Sequence, residues 1–256
     1  SGTSAFTGIL DLLGVNLGSQ MLETQPDNPK GFFENKYVVL ANDCILDTLE
    51  TSWDDTLPLP ENWTDHFADS QLLTDIRAFL RADIAEDQLS ALKDPRMCKL
   101  LPLWLPLFTE EDIAPHFALL IRHPLEIADS LQRRNGFSTE KSLILWMQHM
   151  IAAERSTRQL PRGMVTFEAL LTETRTSVTR VFDSAGLKLP DSSEASSQAL
   201  TQFLDANMRH HQVADGDLDT RCPPVIARYY RMLCSICTQG EVSDQQFEEL
   251  DNVAAE

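Results

Sequence analysis

No stretch of the chain is apolar for long enough to cross a bilayer. The longest apolar run, Leu100 to Phe108, is interrupted by Pro102 and Pro106 and falls far below the roughly 20 residues that a spanning helix requires. No secretory signal is read at the start. The chain opens abruptly on a motif, so a preceding segment is expected. Basic residues are scarce: 21 Lys and Arg stand against 39 Asp and Glu, a net charge of −18. That balance excludes a general affinity for nucleic acid, which needs a basic surface. Cysteine is sparse as well. The five thiols (Cys44, Cys98, Cys222, Cys234 and Cys237) are an odd number at no disulfide-framework spacing, so a reduced, cytoplasmic setting is expected. Cys234 and Cys237 form a CxxC with no second copy and no preceding βα pattern, and they read as core residues rather than as a redox or zinc site. There is no internal repeat, and no ligand set for a metal is evident.

What remains is an ordinary globular composition, 43% hydrophobic and 23% charged, with ample length for one large core. Helical spacing of apolar residues predicts helices over Thr3–Leu13 (ended by Gly14), Val38–Leu49, Gln71–Ile84, Glu126–Arg133, Ser138–Gln159 and Glu173–Ala185 (ended by Gly186). Short, wholly apolar strands are expected at Leu89–Leu92, Phe117–Ile121 and Met164–Phe167. Such strands alternating with helices predict an α/β fold. Its central parallel sheet would be flanked by helices on both faces, with a helix-rich C-terminal part. The chain reads as a single domain over 1–256, with a possible polar break at 188–198.

Charge is spread unevenly. Residues 93–162 carry ten basic and eight acidic side chains, a locally positive segment in an acidic protein, as a small anionic ligand would need. Within it, the strand Phe117–Ile121 delivers Arg122 at its end. Pro124 then opens a helix carrying Ser130, and a guanidinium and a hydroxyl so placed can converge on one phosphate. Ser1-Gly2-Thr3-Ser4 runs straight into a helix and offers a second anion site through exposed amides and hydroxyls. Two anion sites suggest a doubly phosphorylated, nucleotide-like ligand. The first is not a Walker A loop, because no Gly-Lys-Ser/Thr is present.

Five segments occur in order: Ser-Gly-Thr-Ser opening a helix; Lys30-Gly-Phe-Phe-Glu34-Asn; Lys93-Asp-Pro-Arg96; Ile121-Arg-His-Pro-Leu-Glu-Ile-Ala-Asp-Ser130-Leu-Gln-Arg-Arg; and Val165-Thr-Phe-Glu168-Ala-Leu. Over roughly residues 1–185 this resembles the bacterial sulfotransferases that use 3′-phosphoadenosine 5′-phosphosulfate (PAPS). The resemblance is strongest from Arg122 to Ser130. It implies a P-loop-like, three-layer α/β/α fold. It also implies PAPS as co-substrate without a metal, and transfer of a sulfuryl group to a hydroxyl or amine on a small molecule, glycan or lipid. Ser1, Gly2, Thr3 and Ser4 would hold the 5′-phosphosulfate, and Arg122 and Ser130 would grip the 3′-phosphate. Phe167 stands where the family usually has a tyrosine near the adenine. The strand and basic residue that the family carries just before the Ser-Gly-Thr loop are not in this sequence. Arg209-His210-His211 or Arg221 are candidates for completing the 3′-phosphate site.

The chemistry requires a base and positive charge on the sulfuryl oxygens. Glu34 matches the family's glutamate base, and the preceding Phe32-Phe33 pair would desolvate it and strengthen it as a base. Alternatively, Glu34 stabilises the N-terminus of the helix that follows. Lys93 would bind the sulfuryl oxygens, or else pair with Asp94. Arg133 and Arg134 read as surface charges, and His149 and Trp146 as core. The competing readings are a P-loop-type nucleotide kinase, with Asp94 as a possible magnesium ligand, and a catalytically inactive nucleotide-binding protein.

Overall fold

A computed structural model describes residues 2–23, 31–84, 88–190, 193, 199–200, 203–204, 215–239 and 242–256. The chain divides into two compact units. One is Thr3–Pro115; the other is His116–Glu256 together with Ser1–Gly2. Ser1, Lys30, Arg209, His210, His211 and most of the 188–198 segment lie outside the described residues.

The first unit is helical: α1 (Thr3–Leu12), α2 (Lys36–Thr48), a short 3-10 helix (Trp63–Phe67), α3 (Gln71–Asp83) and α4 (Met97–Glu110). α4 contains Pro102 and Pro106, each of which removes a backbone donor and ordinarily disrupts a helix interior. Here the two are four residues apart and both face solvent, where water can satisfy the carbonyls they leave unpaired. The opposite face buries Leu100, Leu103, Trp104 and Leu107. That face packs on Val38 and Ile45 of α2 and Ile76 and Leu80 of α3. The Trp104 indole N–H donates to the Asn42 side-chain oxygen at 2.9 Å, which satisfies the indole and that oxygen but leaves the buried Asn42 Nδ2 without an acceptor among the described residues.

The strand expected at Leu89–Leu92 is reduced to a single parallel bridge between Asn16 and Ser90. The Asn16 amide donates to Leu89 O at 3.0 Å and the Ala91 amide to Asn16 O at 2.7 Å. Pairing goes no further. The Asn16 side chain turns to Asp83 O and Ser90 Oγ, and its own oxygen accepts from the Gly18 amide.

The second unit holds two strands, β1 (Phe117–Ile121) and β2 (Arg162–Thr166), paired in parallel from Phe117↔Arg162 to Ile121↔Thr166. The crossover consists of α5 (Pro124–Asn135) and α6 (Thr139–Thr157). The chain continues through α7 (Phe167–Thr172) and α8 (Thr174–Ser184). The later helices are α9 (Asp215–Arg221), α10 (Pro224–Gln239) and α11 (Asp244–Ala254). α6 and α10 pack on β1, and α8 and α10 on β2. The fold is thus helix-rich with a small parallel sheet, compatible with the α/β class. Among the described residues the sheet is two strands wide, narrower than the central sheet the sequence predicts. No helix among them is long and apolar enough to cross a membrane.

One local correction and one close backbone approach bear on the second unit. β2 ends at Thr166, and Phe167 is the first residue of α7 rather than the last of a strand. The Thr166 side chain accepts from the Ala169 amide at 3.2 Å and so caps the helix. Gly163 brings β2 against the backbone of α8, where an added Cβ would lie 2.3 Å from Val181 O. Gly163→Ala is therefore expected to destabilise the protein by about 1–3 kcal/mol, the range for forced overpacking. The denaturant midpoint reads this, and an unchanged midpoint would mean that α8 can back away from the strand.

Candidate functional site

The predicted site residues assemble into two clusters, one within each unit. In the Thr3–Pro115 unit the centre is Lys93. Its Nζ donates to Ser4 Oγ at 3.2 Å, to Phe32 O at 3.0 Å and to Glu34 Oε1. Ser4 lies in the first turn of α1, one residue after Thr3. Lys93 follows the Ser90 bridge, and Phe32 and Glu34 come from the turn before α2. Three segments remote in sequence thus meet at one ammonium, whose three N–H donors each have an acceptor. Glu34 is 8% exposed, and the Lys93 and Glu34 side chains are each 10% exposed. A charge buried this far needs its partner.

The turn that makes this possible uses unusual backbone. Gly31 has φ +96° and Phe33 φ +53°. A bulky residue in the left-handed region costs on the order of 1–3 kcal/mol and persists only where its surroundings impose it. The turn leaves both the Phe32 carbonyl and the Glu34 carboxylate on Lys93. α2 begins only at Lys36, and its N-cap is Asn35, whose side-chain oxygen accepts from the Tyr37 and Val38 amides. Glu34 therefore lies outside the helix. The reading of Glu34 as a helix-terminus residue gives way to Asn35, a residue type that favours that position.

Lys93 does not pair with Asp94. The Asp94 carboxylate is buried and taken by Arg96, at 2.7 Å to the backbone amide and 2.9 Å to Nη1. Arg96 in turn pairs with Asp43 at 2.7 Å. Burial raises Asp94 above the usual carboxylate range, against the pull of Arg96.

In the second unit the centre is Arg122, at the C-terminal end of β1. Its Nε donates to Glu126 Oε2 at 2.7 Å, and its guanidinium carbon lies 4.4 Å from the Phe167 ring centroid. The Trp146 indole N–H donates to Arg122 O at 3.0 Å, so strand end, ring and carboxylate fix the residue together. Phe167 is 7% exposed and also covers Gly2, where a Cβ would lie 2.3 Å from Phe167 Cδ2 at φ +87°. Only glycine fits there. The ring is accordingly a seat for Arg122 and for the start of the loop, rather than an open face for a purine.

Among the described residues, Nη1 and Nη2 of Arg122 make no hydrogen bond. Neither does the Ser130 hydroxyl. Ser130 lies one turn beyond Glu126 on the same face of α5, and helical side chains lean toward the N-terminus, here toward the Arg122 end. Other helix hydroxyls in this protein bond back to the carbonyl four residues earlier: Thr7 to Thr3, Thr48 to Cys44, Ser142 to Ser138 and Thr157 to Ala153. Ser130, like Thr176 and Thr179 of α8, does not, and its donor remains available.

Trp146 and Glu126 belong to this cluster and are not assigned to it in the sequence reading. Glu126 was within reach, since it stands four residues after Arg122; the Trp146 contact spans 24 residues and has no local signal. Arg133 and Arg134 are exposed. His149 Nδ1 lies 2.8 Å from Leu145 O in its own helix. Arg221 reaches Asp129 at 3.8 Å and Asp217 at 3.6 Å, next to Ser130 in sequence. Burial pushes the Cys222 thiol up to about 11 and Cys237 to about 12, as unreactive core cysteines require. Comparison with protein-family models, with curated proteins and with solved structures found no match.

Proposed function

We propose that this protein is a PAPS-dependent sulfotransferase that moves a sulfuryl group to a hydroxyl or amine of a small-molecule, glycan or lipid acceptor. The observation that carries the reading is the Arg122–Ser130 arrangement. A guanidinium held by Glu126 and Phe167 keeps both Nη donors open, and Ser130 of the helix that follows makes no hydrogen bond of its own among the described residues. That pair suits a phosphate monoester, the 3′-phosphate of PAPS. The Lys93 cluster gives second support, because it joins a residue of the Ser-Gly-Thr-Ser loop to the candidate base.

In this reading Gly2, Thr3 and Ser4, with Ser1 before them, bind the 5′-phosphosulfate through amides and hydroxyls. The acceptor oxygen or nitrogen attacks sulfur in line as the bond from sulfur to the bridging oxygen breaks. The acceptor proton passes to Glu34, and the electron pair of the broken bond leaves with adenosine 3′,5′-bisphosphate. Lys93 meets the charge growing on the sulfuryl and bridging oxygens by exchanging one of its three present partners. Phe167 acts through Arg122. The reading carries with it a three-layer, P-loop-like sheet, of which the β1–β2 pair and its two-helix crossover would be part, and a cytoplasmic setting. It invokes no metal. In the kinase reading Asp94 would serve magnesium, and the hold of Arg96 on that carboxylate weighs against this.

Arg122→Ala is expected to weaken binding of adenosine 3′,5′-bisphosphate by about 1.5–3 kcal/mol, the worth of hydrogen bonds to a charged group. Binding of adenosine 5′-phosphate should be nearly unchanged. Calorimetric titration of both ligands decides the matter. Equal losses would remove Arg122 as the 3′-phosphate anchor, and a wild-type preference for ATP with magnesium would favour the kinase.

A further inference from the structure

The carboxylate of Glu126 poses a problem for any anion site at Arg122. It sits 2.7 Å from Nε and would repel a phosphate bound to the same guanidinium. It is also well sheltered, with side-chain exposures of 18% for Arg122 and 15% for Glu126. We infer that Glu126 is a positioning residue: it fixes the rotation of the Arg122 guanidinium so that the Nη1–Nη2 edge, rather than Nε, faces the 3′-phosphate. The inference rests on the sulfotransferase reading and assigns to that site a residue that touches no ligand.

An arginine side chain has several rotatable bonds, and ordering it costs up to about 2 kcal/mol of rotamer entropy. One contact fixes the backbone from which the side chain springs, and two remove that side-chain freedom before ligand arrives. The Trp146 indole holds the Arg122 carbonyl. The Phe167 ring seats the guanidinium, whose carbon lies 4.4 Å from the ring centroid. Glu126 occupies Nε, which leaves the two Nη groups as the open donor edge. That edge matches two oxygens of a phosphate side by side. Glu126 is itself held in the first turn of α5, where the helix N-terminus favours a carboxylate. The same helix carries Ser130 one turn further on.

Repulsion and positioning can be separated, because glutamine keeps the acceptor and drops the charge. Glu126→Gln should bind adenosine 3′,5′-bisphosphate at least as tightly as wild type. Glu126→Ala loses both, and should bind it about tenfold more weakly than Glu126→Gln, a difference of about 1.4 kcal/mol. Both variants should bind adenosine 5′-phosphate within about twofold of wild type, since that ligand lacks the phosphate being positioned. Titration calorimetry of the three proteins with the two ligands is the test. Equal affinities of the Ala and Gln variants for the bisphosphate would overturn the positioning role, leaving Glu126 as a helix-stabilising residue. Parallel losses for both ligands would overturn it as well. If wild type itself fails to prefer the bisphosphate over the 5′-phosphate, the sulfotransferase reading falls, and the role of Glu126 with it.

Discussion

If the proposed sulfotransferase reading holds, Glu34→Gln is expected to lower sulfuryl transfer from PAPS by about 10²–10⁴-fold, the usual contribution of a general base. Affinity for adenosine 3′,5′-bisphosphate should stay within about twofold of wild type. Gln can still accept the hydrogen bond that Lys93 Nζ gives to Glu34 Oε1, so the cluster keeps its shape while the proton acceptor is lost. Lys93→Ala provides the contrast. It strands a carboxylate that is 8% exposed and frees the Ser4 hydroxyl and the Phe32 carbonyl of their shared partner. It should therefore lower the melting temperature as well as turnover, and lower it more than Glu34→Gln does, since glutamine keeps an acceptor for Lys93 although not its counter-charge. Single-turnover measurements with saturating PAPS, alongside thermal melts, separate the two. If Glu34→Gln retains more than about a tenth of wild-type turnover, the base lies elsewhere, and His66, His149 and His210 are next to test.

Arg158→Ala is expected to cost about 3 kcal/mol of stability, near the lower end of the range for breaking a buried ion pair. Glu154 is 1% exposed and accepts from Arg158 at 3.1 and 2.6 Å and from Arg162 at 3.1 Å. Arg162 would remain, which keeps the loss from being larger. Arg158 also holds Asp251 of α11 at 2.7 Å and lies 4.7 Å from the Phe247 ring centroid, so its removal loosens the C-terminal helix from α6 and β2. For a chain of this length a loss of that size lowers the melting temperature by roughly 6–12 °C. Arg155→Ala is the control: its pair with Asp251 is 47% and 41% exposed, so its effect should stay below about 1 kcal/mol. The same network sets an acid limit. Hydrogen bonds from Arg158 chiefly, and from Arg155, hold Asp251 down at about 2. Its contribution is present above the unfolded carboxylate value and is lost as pH falls toward 2. Arg158→Ala should shrink that acid-linked loss, as melts across pH 2–5 would read.

The sequence by itself determined a good part of this protein. Helical spacing located α1, α2, α3, α5, α6 and α8 to within a few residues, because each turns one apolar stripe inward. Gly14 and Gly186 adopt the left-handed conformation expected just past a helix, and Ser138 caps α6 by accepting from the Lys141 amide. Strand β1 was legible as a short apolar run that leads to an arginine.

Other features were decided only in three dimensions. α4 was hidden by Pro102 and Pro106, since local propensity forbids a helix there, and burial of Leu100, Leu103, Trp104 and Leu107 on the opposite face overrides it. The break between α7 and α8 has no spacing signal; it follows from the Thr166 cap and from Ser177 Oγ donating to Ala169 O. In the two clusters, residue types singled out Arg122, Ser130 and Glu34, but not their partners. The meeting of Lys93 with Ser4 and Glu34 spans 89 and 59 residues, and the Phe167 seat beneath Arg122 spans 45. Pattern reading resolves neighbours within a turn or two along the chain, whereas the orientation of a guanidinium or the partner of a buried ammonium is set by packing between segments remote in sequence.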